Sequence, residues 1–213
     1  MPAAPSRAAF ITLEGGEGSG KTTLAAAIAD SLRDQGQTVC VTREPGGTEL
    51  GRVIQGILEG KEQGGSLSAL AELLLFEADR VQHVSEVILP ALTAGRVVVC
   101  DRFTDSSLAY QGFGRGLDLA LIRRLNYEAT GVLSPDLTLL LDVPPRVGLS
   151  REGTQKDVTG RESLEFHQRV RDGFLELARA EPERFVVIDG TLAMEEVTAR
   201  AIAATKQRLP LLP

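Results

Sequence analysis

The chain has 213 residues, 43% of them hydrophobic, which is enough for one sizeable core or two small ones. Its net charge of −6 argues against general affinity for nucleic-acid polymers or anionic membrane surfaces, so an anionic ligand must be met by locally placed Arg and Lys. Residues 1–7 lack the apolar segment of a signal peptide, no apolar run reaches the roughly 18 residues of a membrane span, and two cysteines in apolar runs (Cys40, Cys100) read as buried thiols, so the expectation is a cytoplasmic protein with a frayed tail at 1–7.

Residues 8–14 (Ala-Ala-Phe-Ile-Thr-Leu-Glu) read as a short buried strand. Gly15, Gly16, Glu17, Gly18, Ser19, Gly20, Lys21 and Thr22 follow, matching the phosphate-binding pattern G-x-x-x-x-G-K-[ST]. Glycines let the backbone wrap closely around a phosphate, with successive N–H groups pointing inward as an anion nest. Lys21 supplies a full positive charge to the β- and γ-phosphates, and the Thr22 hydroxyl suits Mg²⁺. Thr23 continues the site into a helix over 21–35, with Leu24, Ala25, Ile28 and Leu32 on one face. A strand before the loop and a helix N-terminus after it are the context that such a loop needs.

Further strands are expected at 37–42, 96–101, 137–143 and 184–189. They are mostly continuous apolar runs, as in strands covered on both faces. Helical patterns occupy 48–59, 67–94, 104–111, 118–131, 144–152, 163–181 and 193–208. The alternation predicts an α/β fold, a doubly wound five-stranded parallel sheet flanked by helices. No repeat or linker divides residues 8–213, which read as one domain. The long helical stretch between strands two and three, about 44–94, lies where α/β proteins build ligand sites, and is expected to hold a substrate pocket.

Polar residues gather at the strand ends. Strand two runs into Thr42, Arg43, Glu44, Pro45, Gly46, Gly47 and Thr48. Strand three ends in Asp101, Arg102 and Phe103, with Ser106, Ser107, Tyr110 and Gln111 close behind. Asp101 ends an apolar strand as a Walker-B aspartate does, which makes it a candidate to hold a Mg²⁺-bound water. Arg102 and Arg43 are the candidate cations for a second phosphate, because the planar guanidinium fork matches phosphate oxygens bidentately. Phe76 could stack on a flat base, and Arg80 lies one turn further on the same helix face, although on the residues alone a Phe in Leu-Leu-Leu-Phe is more often core.

With the loop at 15–22, the run at 42–48, the Phe76/Arg80 pair and the Asp-Arg-Phe-x-x-Ser-x-x-Ala-Tyr pattern at 101–110, the sequence resembles the thymidylate kinase family in its bacterial form. The match extends over nearly the whole chain from residue 8, and the 101–111 run is its specific part, since such loops occur in many families. The resemblance implies transfer of a phosphoryl group from ATP to dTMP with Mg²⁺, on the way to dTTP, in a homodimer. It implies that Arg80 donates to the base O4 and that Tyr110 packs against the sugar 2′ carbon; Ser107 could hydrogen-bond elsewhere on the base edge, and Gln111 is a further candidate contact to dTMP. Glu17, an odd carboxylate inside a phosphate cradle, is implied to lie near the dTMP 3′-hydroxyl.

Residues 151–162 are polar, contain Gly153 and Gly160, and carry Arg151, Lys156 and Arg161. The loop has no arginine at 16–19, so the resemblance is to members with lid arginines, and Arg151 and Arg161 are the expected catalytic lid cations beside Lys21 and Arg102. Here Gly160 precedes Arg161, where bacterial relatives often show an Asp-Arg pair. Two other classes share the loop. A deoxynucleoside kinase would need a base such as Glu17 or Asp101 and would leave Arg43 and Arg102 without a phosphate. A nucleotide-dependent switch would need a water-positioning residue for which no motif is present.

Overall fold

The computed structural model describes residues 8–60, 67–151 and 162–209. Five strands, β1 (Phe10–Gly15), β2 (Val39–Arg43), β3 (Val97–Asp101), β4 (Leu137–Asp142) and β5 (Phe185–Asp189), form one parallel sheet in the order β2-β3-β1-β4-β5. The α/β reading of the sequence is therefore correct, and strand ends agree within two residues. Strand order reverses at β1, which pairs with β3 on one side and β4 on the other. That reversal opens a crevice beyond the carboxyl ends of the strands, where open α/β sheets bind ligands.

Strand β1 shows why both faces must be covered. Ile11 and Leu13 point into a core shared with α1 (Lys21–Asp34) and α9 (Met194–Arg208), where Leu24, Ile28, Val197 and Ala201 meet them. Phe10 points the other way, and its ring meets Phe103 edge-on at 5.0 Å. The opposite face is closed in two parts. Ile88 and Leu92 cover β3, while Phe174 and Leu177 of α8 (Leu164–Ala180) cover β4. Full coverage is limited to the three central strands. Val41 on β2 and Val187 on β5 are 44% and 47% exposed, because each edge strand has a neighbour on one side only.

Helix α2 (Glu49–Leu58) begins at Thr48, whose hydroxyl accepts from the Gly51 N–H at 2.9 Å as an N-cap should. The helix expected over 67–94 is three pieces. Helix α3 (Ala69–His83) passes into a π-helical turn, Val84–Ile88, then into α4 (Leu89–Thr93). Pro90 is the physical reason: it has no N–H to donate back to Glu86, and the ladder widens so that the Leu89 N–H bonds to Val84 O. A second π-helical stretch, Leu108–Gly114, extends the short helix α5 (Thr104–Ser107) past the expected end at 111. Helices α6 (Leu119–Thr130) and α7 (Pro145–Arg151) complete the set. Among the described residues no helix is long and apolar enough to cross a membrane.

Candidate active site

The parallel register brings Leu13 on β1 and Arg43 on β2 level with Asp101 on β3, so three strand ends meet at one point. A cleft of about 900 Å³ opens there, reaching from the loop at 17–23 past Arg43 and Arg102 to Phe76, Ser107, Tyr110 and Gln111.

The loop is held open from below. Gly18 has φ 63°, and a Cβ on it would lie 2.0 Å from Gly148 O on α7, so only glycine fits between the loop and that helix. Lys21 is nearly buried, and its ammonium donates to Gly15 O at 3.1 Å, Gly16 O at 2.8 Å and Ser19 Oγ at 3.1 Å. Burial, with the Arg102 charge acting the same way, lowers its pKa to about 8 despite Glu17 and Asp101 nearby. The Thr22 hydroxyl donates to Asp101 Oδ2 at 2.6 Å, so the hydroxyl and carboxylate singled out for Mg²⁺ stand side by side. A hydroxyl and a single carboxylate suit a magnesium ion that takes its other ligands from phosphates and water. Among the described residues no cluster of three His, Cys, Asp or Glu could hold a metal by itself.

Arg102 is the hub of the acceptor side. It is the one non-glycine residue with positive φ, 70°, among the described residues. Such a backbone persists only where surroundings enforce it. Here the Arg102 N–H bonds to Leu13 O at 2.9 Å, and the next N–H, of Phe103, donates to Glu14 Oε1 at 2.8 Å. The guanidinium donates to both oxygens of Glu17 (3.0 and 3.1 Å) and to Gly15 O (3.2 Å), and lies 4.9 Å from the centre of the Tyr110 ring. Tyr110 completes the triangle, its hydroxyl donating to Glu17 Oε1 at 2.8 Å. Burial works to raise the Glu17 pKa, but Arg102, Lys21 and the Tyr110 hydrogen bond outweigh it and hold the carboxyl at about 2. Glu17 is thus ionised throughout the physiological range and acts as an acceptor.

Glu14 is the contrasting carboxyl. Fully buried, with Asp105 adding a like charge, it is pushed up to about 8 in spite of bonds from Ser106 and Phe103 and the nearby Arg102. The sign follows from linkage. Between pH 4.5 and 8 the folded chain holds a proton that the unfolded chain has released, so this group makes stability fall as pH rises through that window. Glu14→Gln is expected to flatten that part of the pH–stability curve in urea unfolding. A variant curve parallel to wild type from pH 5 to 8 would contradict the assignment.

The expected site residues separate into three groups. Glu17, Gly18, Ser19, Gly20, Lys21, Thr22, Thr23, Arg43, Phe76, Asp101, Arg102, Ser107, Tyr110 and Gln111 all line the cleft, with Gly15 and Gly16 beneath its loop end. Arg43 reaches Gln55 at 3.1 Å. Arg80, expected to reach the base, is 1% exposed and does not line the cleft. Its guanidinium donates to Glu44 (2.9 Å), Glu77 (2.8 Å), Ser107 Oγ (3.0 Å), Asn126 (2.7 Å) and Phe103 O (3.1 Å). Two buried carboxylates draw it under the floor, so in this geometry it supports Ser107 from below. Arg151, expected as a lid cation, does not line the cleft either, and donates to Gly190 O at 2.8 Å beyond β5. Arg161 and residues 152–161 of the lid lie outside the described residues.

Sequence reasoning passed over Glu72, Arg115, Glu162 and His167, which also line the cleft. Glu72 carried a legible signal, one helical turn before Phe76 on the same face.

The thymidylate kinase family model matches residues 13–201. The chain belongs to the thymidylate kinase family. Thymidylate kinase of Synechococcus sp. (strain JA-2-3B'a(2-13)) is 57% identical, over 95% of this chain and 96% of its own length. That of Deinococcus radiodurans is 50% identical, over 95% of this chain and 98% of its own. The crystal structure of thymidylate kinase from Ehrlichia chaffeensis superposes with a TM-score of 0.75 at 38% identity, covering 93% of this chain and 98% of that one.

Proposed function

We propose that this protein transfers the γ-phosphoryl group of ATP to dTMP, giving ADP and dTDP, with the residues of this cleft in the following roles. The observation that carries the reading is Arg102, a partly buried cation held in a left-handed backbone beside the phosphate loop and lining the cleft where a second phosphate would sit.

The triphosphate lies in the nest at 15–22. Lys21, now folded onto Gly15 O and Gly16 O, exchanges those carbonyls for phosphate oxygens, which are charged and better acceptors. Thr22 and Asp101 would hold Mg²⁺, directly or through water, and the ion would supply neutralisation of the phosphate charge. Arg102 and Arg43 receive the dTMP phosphate. Arg102 gives part of its fork to that phosphate, and Glu17 keeps the Tyr110 hydroxyl while accepting from the sugar 3′-hydroxyl. Phe76 stacks on the base, and Ser107 and Gln111 meet its polar edge.

An oxygen of the dTMP phosphate attacks the γ-phosphorus as the bond to the β,γ-bridging oxygen breaks, leaving ADP. The attacking oxygen is already ionised, so no general base is required. Catalysis is positioning and charge stabilisation. What favours this reading over a deoxynucleoside kinase is that Arg43 and Arg102 both line the cleft, two cations that an acceptor without a phosphate would leave unused. Adenine packs near Arg151 and the segment after β5, and Arg161 supplies a lid cation.

Residues 8–213 form one domain, with the stretch 44–94 carrying much of the acceptor pocket. The protein works as a homodimer. Leu70, Leu74 and Val81, all about half exposed, run along one side of α3, and Leu50 and Val53 lie exposed on the neighbouring α2. A patch of that kind marks an association surface. Sedimentation equilibrium is expected to give the mass of two chains, and a single-chain mass at micromolar concentration would exclude the dimer. For the reaction itself, ADP formation should require both dTMP and Mg²⁺. ADP release that is independent of any monophosphate would overturn the kinase reading.

A further inference from the structure

Gln111 offers the cleft a side-chain amide, and an amide is ambiguous. Turned one way it presents an oxygen acceptor to a base edge, turned the other way an N–H donor. Thymine and uracil carry a proton at N3 and need an acceptor there. Cytosine has a bare N3 and needs a donor. A free glutamine would rotate to suit either.

This glutamine is not free. Its Nε2 donates to Glu72 Oε1 at 2.7 Å. A carboxylate accepts only, so the amide must turn its nitrogen toward Glu72. Glu72 is itself held in a bidentate grip by Arg115, whose Nε and Nη2 reach its two oxygens at 3.2 and 2.8 Å. Arg115 is anchored in turn, donating to Glu162 at 2.5 Å with its guanidinium 4.9 Å from the Phe166 ring centre. Among the described residues the Gln111 oxygen accepts no hydrogen bond, although Gln111 lines the cleft with Phe76 and Ser107.

We propose that Glu72, clamped by Arg115, fixes which end of the Gln111 amide faces the cleft and so selects pyrimidines that carry a proton at N3. Glu72 is a positioning residue. It acts one side chain away from the base, and the inference rests on the reading of the cleft as a dTMP site.

The test compares kcat/KM for dTMP and dCMP at saturating ATP, in wild type and in Glu72→Gln. The substituted amide can turn its own nitrogen toward the Gln111 oxygen, which releases the lock. The dTMP-to-dCMP ratio is expected to fall about tenfold or more, the scale set by leaving one buried polar group unpaired, while the KM for ATP holds. Glu72→Asp, still acceptor-only, should keep more of the preference, and Arg115→Met should lose part of it. A ratio unchanged in Glu72→Gln, with turnover of both substrates lowered in parallel, would reduce Glu72 to a structural role and overturn the clamp. A wild-type enzyme without preference for dTMP over dCMP would overturn the functional reading and the clamp together.

Discussion

Lys21→Ala is expected to lower kcat/KM by about 10²–10³-fold, the usual effect of removing one preorganised charge from a developing transition state. The free protein shows why the loss should fall on chemistry and not on folding. The ammonium is nearly buried and desolvated, and burial lowers its pKa to about 8, so the fold gains little from it. Its three partners are not stranded by its loss. Gly15 O also accepts from Arg102, and Ser19 Oγ also donates to Gly16 O at 2.8 Å. Thermal unfolding of the variant should therefore stay close to wild type. Activity within about tenfold of wild type would remove Lys21 from its assigned role.

Arg80→Ala should do the opposite. Arg80 joins Glu44 and Glu77, both nearly buried, and does not line the cleft. Its own pKa reflects the balance, since burial works against the charge and the two carboxylates more than restore it. Removing one partner of a buried ionic cluster leaves the others uncompensated and costs about 3–5 kcal/mol. Here His83, bonded to Glu44 at 2.9 Å, and Ser107 would be disturbed as well. Urea unfolding is expected to show a loss of that size, with partial recovery when Glu44→Gln and Glu77→Gln are added. A stable variant with only a raised KM for dTMP would return Arg80 to the base-reading role that the family resemblance implies.

That contrast shows what local sequence can and cannot convey. The phosphate loop is legible because its chemistry is contiguous: strand, glycines, lysine, threonine and helix follow one another, and their spacing alone fixes the geometry. Asp101 and Arg102 are legible for a similar reason, since a polar pair closing an apolar strand of a parallel sheet has to emerge near the loop. Arg80 was harder. Helical spacing places it on the face of Phe76, but its burial is decided by Glu44 after β2, Phe103 after β3 and Asn126 on α6, which no window of sequence brings together. Arg151 follows the same logic, held by carbonyls beyond β5. The π-helical turn at Val84–Ile88 had a visible cause in Pro90, but a proline in an apolar run reads equally as a kink or a break.

Glu17 is the residue whose meaning changed most between sequence and structure. Within the loop it is a negative charge beside phosphates. In the fold it is the shared partner of Arg102 and Tyr110, ionised and fixed. It keeps the Arg102 charge oriented, and the arriving monophosphate takes over part of that task.

The most direct test of the account is a coupled ATP assay on the purified chain with Mg²⁺ and dTMP, dUMP, dCMP, dGMP or thymidine as acceptor. The account predicts that dTMP gives the highest kcat/KM and that thymidine is not phosphorylated. Preference for a purine monophosphate, or turnover of thymidine in place of dTMP, would contradict it.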